Sequence, residues 1–152
     1  MPPTIQWYVR TALLYILVSA ALGVWYQLEQ WRPVFGAHPY LIVVHVHLAL
    51  MGGVIQMIMG VALWMFPKPA EGDPRWKPGR FELVYWLFVL GVVGRSTGEI
   101  VREYSLARGW NLLVFGASCI EVLAVLVFVV SSVIFCLAAS ISPLPTSSWI
   151  CV

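Results

Sequence analysis

Four apolar runs, each long enough to cross a lipid bilayer as a helix, decide what this chain can fold into. A helix rises about 1.5 Å per residue, so covering the hydrocarbon core takes roughly 20 consecutive apolar residues. The runs Tyr8–Leu28, Tyr40–Phe66, Glu82–Tyr104 and Asn111–Ile141 reach that length. Apolar residues make up 61% of the chain and charged ones only 11%, and the charges gather between the runs. A soluble domain cannot build a polar surface from that mixture. The expectation is an all-α fold: one integral membrane four-helix bundle spanning residues 1–152 as a single domain.

The connections carry the polar residues. Pro33, Gly36 and Pro39 punctuate the first, the second reads "PKPAEGDPRWKPGR", and the third is the tight "ARGWN", which makes the third and fourth helices antiparallel neighbours. Lys68, Arg75, Lys77 and Arg80 fall in the second connection and Arg32 in the first, so the positive-inside rule places the second connection and both termini in the cytoplasm. Arg10 agrees with that orientation, while Arg102 and Arg108 oppose it. The first run has no small-residue cleavage signature and reads as a retained helix in what is expected to be a prokaryotic inner membrane. A formal charge of +2 with no basic stripe gives no reason to expect nucleic acid. Cys119, Cys136 and Cys151 lack the spacing of a zinc site or a disulfide framework.

Polar side chains inside the runs fall at one depth. His45 and His47 lie about 8–10 Å below the outer end of the second helix, and Glu99 sits at a similar depth on the third. Arg95 is one turn deeper, and Glu121 on the fourth helix lies near it. Antiparallel order alone brings these levels together, whichever way the protein is inserted. Arg95 and Glu99, four apart, share a helix face and can pair. With Glu121 they form either a structural ion network or a site, since an ionisable residue inside a membrane points to function by default. An arginine there could also grip a carboxylate, such as a haem propionate.

His45 and His47 are two apart and so point about 200° apart on a helix, which prevents them from chelating one metal from the same face. Each is either an interhelical hydrogen-bonding group or a ligand. His38, before Pro39, reads as a surface residue. Gly52, Gly53 and Gly60 follow on the second helix. Small residues there admit either another helix or a flat macrocycle beside His45. Met51, Met57, Met59 and Met65 read as apolar gap-fillers, any of which could serve as a sixth haem ligand.

The stretch "HVHLALMGGVIQMIMGVALWMFP", residues 45–67, resembles the second core helix of subunit I of the haem–copper oxidase superfamily, in particular its nitric oxide reductase branch. It is also similar to the HxH pattern of small, oxidase-like four-helix membrane proteins and of NnrS-type haem–copper proteins, and Gly94-Arg95 resembles a late "GR" in their spans. The resemblance covers about 23 residues well and the remainder only in style. It implies that His45 ligates a b-type haem, and that His47 occupies a polar position or helps hold a second metal such as copper. Arg95 and Gly52 would then contact the cofactor, with Glu99 and Glu121 completing the polar layer.

The departures limit what the resemblance can carry. A complete oxidase has many more spans and metal-binding histidines, whereas this chain has only His38, His45 and His47. No helix other than the second supplies a histidine, so one protomer cannot offer two histidines to one haem or three to a copper ion. The sixth position is left open, or filled by water, a methionine or a partner. The leading expectation is a haem b membrane protein that binds or turns over NO or O2, as an oxidoreductase, or that transfers electrons. A homo-oligomer, a trimer for instance, is expected because four small spans wall in a cofactor poorly. The alternative is a cofactor-free assembly factor or lipophilic-substrate enzyme whose Arg/Glu/His layer is structural.

Overall fold

The structure, a computed structural model, describes residues 3–32, 39–65, 78–104 and 108–141. It is nearly all helical. Helix α1 runs over Pro3–Trp31 and α2 over Pro39–His47, a π-helical segment follows over Leu48–Ile55, and α3 (Gln56–Met65) completes the second span. Helix α4 covers Pro78–Tyr104 and α5 covers Arg108–Ile141. Four spans (Pro3–Trp31, Tyr40–Met65, Gly79–Arg102 and Gly109–Ile134) are long and apolar enough to cross a membrane. Each expected run coincides with one of these four spans, and α1, α4 and α5 start earlier than predicted.

The molecule wears its apolar residues outside. Leu17, Leu90, Phe115 and Leu126 are each more than half exposed. That suits helices whose outer faces meet acyl chains, where packing between helices comes from close backbone approach instead of water exclusion. Glycine supplies this approach along two seams. In the first, α1 packs on the second span: a Cβ at Gly52 would lie 2.8 Å from the Tyr15 ring, and one at Gly53 2.6 Å from Ile16 Cγ1. In the second, α4 packs antiparallel on α5, where a Cβ at Gly91 would lie 2.5 Å from Glu121 Cγ and one at Gly98 2.7 Å from Val114 Cγ2.

The π-helical segment was not foreseen. It contains both Gly52 and Gly53 and ends where the backbone N–H of Gln56 donates to the carbonyls of Met51 and Gly53. Wide turns of this kind are rare and cluster at functional sites. Here two adjacent residues without side chains meet Tyr15 and Ile16 of α1 directly, so the coil widens where nothing on its own surface resists.

The end of the molecule where α1 begins is held by aromatic and polar contacts. Tyr8, fully buried, donates its hydroxyl to the Phe81 carbonyl at 2.9 Å, and its ring meets Tyr85 edge-on with centroids 5.1 Å apart. Thr4 Oγ1 donates to Glu82 Oε1 at 3.2 Å. Deeper along α1, Gln56 Nε2 donates to Thr11 Oγ1. Between these contacts and the opposite end, Val44, Phe88, Val92 and Ala124 form the fully buried centre.

Candidate functional site

The two histidines face different helices, as their spacing required. His45, half-buried, turns towards α1. Its Nδ1 lies 2.7 Å from the Ser19 carbonyl oxygen and 3.1 Å from Ser19 Oγ, and Ser19 Oγ in turn donates to the His45 carbonyl at 2.8 Å. A carbonyl oxygen has no proton to give, so Nδ1 carries the ring hydrogen and, in the neutral imidazole, Nε2 keeps its lone pair. Gly23 makes this placement possible: a Cβ there would come within 2.8 Å of His45 Cε1. Ser19 and Gly23 escaped the sequence reading. Their only trace is a pair of small residues four apart in "SAALG", one helical turn.

His47 turns the other way. Its Nε2 lies 2.9 Å from Glu121 Oε1 on α5, with both residues buried. Gly91 makes room for the glutamate, because its missing side chain is where the Glu121 methylenes sit. Of the expected layer, His47 of the second span and Glu121 of the fourth meet, and Gly91 of the third packs beside the glutamate.

The expected Arg95–Glu99 pairing is corrected. Glu99 Oε2 lies 3.7 Å from Arg102 Nη1, three residues on, and the Arg102 guanidinium also lies 4.7 Å from the centroid of the Tyr40 ring. Arg102 sits nearer the end of the span, where its head stays partly exposed while its charge meets both a carboxylate and an aromatic face. Arg95 has no ion pair among the described residues, and its buried Nε lacks a hydrogen-bond partner there.

Gly52 is used for helix contact. Tyr15 fills the space that a flat cofactor would need against it. Met59 is buried in the core, and Met65 is largely exposed at the end of α3. Cys119 is free and exposed on α5. The Cys136 side chain, Cys151 and His38 lie outside the described residues. Among the described residues, no group of three or more His, Cys, Asp or Glu gathers as a metal site would. Comparison with protein families, with curated proteins and with solved structures finds no match.

The haem suggested by the resemblance can be tested against these donors. Metal-ligating histidines characteristically donate the other ring N–H to a carbonyl or carboxylate, which fixes the tautomer and the ring. His45 has this arrangement, with the Ser19 carbonyl as acceptor. Arg95 presents a guanidinium that no described carboxylate neutralises. His47 is committed to Glu121, and Gly52 is covered. His45, turned to α1, and Arg95, on α4, are thus the residues that would engage such a group, the one as an axial ligand and the other through its charge.

Proposed function

We propose that the chain is a membrane protein of b-type haem, related to one fragment of haem–copper oxidase subunit I, with His45 Nε2 as an axial ligand and Arg95 holding a propionate. The observation that carries this reading is the 2.7 Å contact from His45 Nδ1 to the Ser19 carbonyl, which leaves the opposite nitrogen free as a base. A bound haem supplies an iron that takes up a small gas or passes an electron. His45 fixes where that iron sits. Ser19 and Gly23 hold the imidazole in place, and Arg95 offsets the negative charge of the cofactor rim. NO and O2 are the ligands suited to a sixth position that His47, committed to Glu121, does not fill. Placement in a prokaryotic inner membrane with both termini inside, and assembly as a homo-oligomer that walls in the cofactor, belong to the same proposal.

A second reading has its own support. The His47–Glu121 pair is buried on both sides and closed at 2.9 Å, as a purely structural polar layer would be. On that reading the protein carries no cofactor. The visible spectrum of protein purified in detergent from haem-replete cells separates the two. A Soret band in wild type that is lost in His45→Ala supports the haem protein, and a colourless wild type supports the structural layer. Within the first reading, a spectral shift when CO or NO is added to the reduced protein assigns gas binding, and indifference to both assigns electron transfer.

A further inference from the structure

One face of α4 carries Arg95, Ser96, Glu99 and Arg102, spaced three and four apart. Arg102 is the exposed end of this face, with its side chain 38% exposed; Glu99 and Ser96 are buried, and Arg95, the innermost, is half-buried. The same depth can be reached along the second span. Tyr40 contacts Arg102, the two spans run antiparallel, and His47 lies seven residues in from Tyr40 as Arg95 lies seven in from Arg102. Both are thus two turns, about 10 Å, below that contact. His47, paired with Glu121, lies at the depth of Arg95, and the Glu121 methylenes pack on Gly91, one turn further in on α4.

Three atoms on the face are buried and have no hydrogen-bond partner among the described residues: Arg95 Nε, Ser96 Oγ and Glu99 Oε2, the last facing only the Arg102 guanidinium in the ion pair at 3.7 Å. One only donates, one only accepts and one does both. In hydrocarbon such atoms must be satisfied, and a water molecule with two to four polar partners is what a mixed set at this spacing suits. Ser132 Oγ and Gln56 Oε1 are also orphaned, but each stands apart from this cluster on another helix.

We propose that this face of α4 binds ordered water, and that through it the His47–Glu121 pair exchanges protons with the aqueous phase at the Tyr40–Arg102 end of the protein. A proton entering from water bonds to a carboxylate oxygen of Glu99, or to the Ser96 hydroxyl as that hydroxyl gives its own proton onward. Each transfer makes one O–H or N–H bond and breaks one, and the excess proton comes to rest on His47 or Glu121. Nothing is oxidised or reduced. The proposal is independent of the haem reading and holds for a protein with or without a cofactor.

The test is hydrogen exchange at the histidine ring N–H groups, read by NMR on the full chain with ¹⁵N-histidine in lipid nanodiscs. Glu121→Gln identifies the His47 signal. The expected result is that His47 Nε2–H exchanges with bulk water in wild type and slows by about tenfold or more in Ser96→Val and in Glu99→Gln. Ser132→Val should leave it unchanged, and the His45 Nδ1–H signal should stay in place throughout as the report of an intact fold. A His47 signal protected for days in wild type, or exchanging equally fast in both variants, overturns the proposal. Should a variant disturb the His45 signal, magnetisation transfer from water to His47 in the wild type decides: its presence supports the water line and its absence overturns it.

Discussion

His47 and Glu121 lie 74 residues apart in sequence and meet at 2.9 Å, joining the second span to α5. The pair ties these two spans together through buried side chains, so it is both a fastener and a buried electrostatic commitment. Removing one partner of such a pair leaves the other uncompensated, which costs about 3–5 kcal/mol in proteins generally. Glu121→Ala and His47→Ala are expected to destabilise by amounts of that order, and Glu121→Gln by less, because an amide oxygen still accepts from Nε2. Unfolding in detergent by denaturant titration measures each. A double-mutant cycle should give a coupling well above the average interhelical hydrogen bond, about 0.6 kcal/mol.

Gly91 should be intolerant where other glycines are not. A methyl group there meets Glu121 Cγ at 2.5 Å and the Ala117 carbonyl oxygen at 3.2 Å, and the carbonyl belongs to backbone that cannot yield by rotation. Gly91→Ala is expected to push α4 from α5 and to cost about 1–3 kcal/mol, the usual penalty of overpacking. Gly116→Ala, with nothing within 4 Å, should be neutral or mildly stabilising. Paired melting curves of the two variants check this contrast.

The support of His45 can be dissected without touching His45. Ser19→Ala removes the hydroxyl but leaves the backbone carbonyl that accepts from Nδ1, so the ring should keep its tautomer and, on the proposed function, its capacity to hold haem. Gly23→Ala places a carbon 2.8 Å from His45 Cε1 and must displace the ring. The expected outcome is near-normal haem content in the first variant and a several-fold lower content in the second, measured by pyridine haemochrome against protein concentration. Equal content in both would separate haem binding from the position of this ring.

Tyr8 supplies a check on the opposite end of the molecule. Tyr8→Phe keeps the ring packed on Tyr85 and deletes only the bond to the Phe81 carbonyl. A loss of about 0.5–1.5 kcal/mol is expected, with haem content unchanged. Thermal unfolding and the visible spectrum of the same sample report both quantities.

Much of this architecture was legible because one physical constraint dominates it. Spans such as Asn111–Ile141 announce themselves by length and apolarity, and antiparallel order then fixes which residues share a level, which is how His47 and Glu121 could be placed together. The finer contacts were not legible. Arg95 and Arg102 are both within one turn of Glu99, and the choice between them depends on Tyr40, a residue from another span. Ser19 became visible only once α1 was docked, because its carbonyl is the group that acts and every residue has one. The π-helical segment sets Gly52 and Gly53 against Tyr15 and Ile16 of α1, a tertiary contact that no local pattern encodes.

The central claim is that His45 Nε2 bonds to iron. The most direct measurement replaces that ligand and returns it from solution: His45→Gly, expressed in haem-replete cells, with its visible spectrum recorded before and after adding imidazole. The account predicts a Soret band in wild type, its loss in the variant, and, once haem is supplied with the imidazole, its return in the protein fraction after unbound haem is removed by gel filtration. A wild-type protein without haem, or a His45→Gly variant whose spectrum matches wild type, contradicts it.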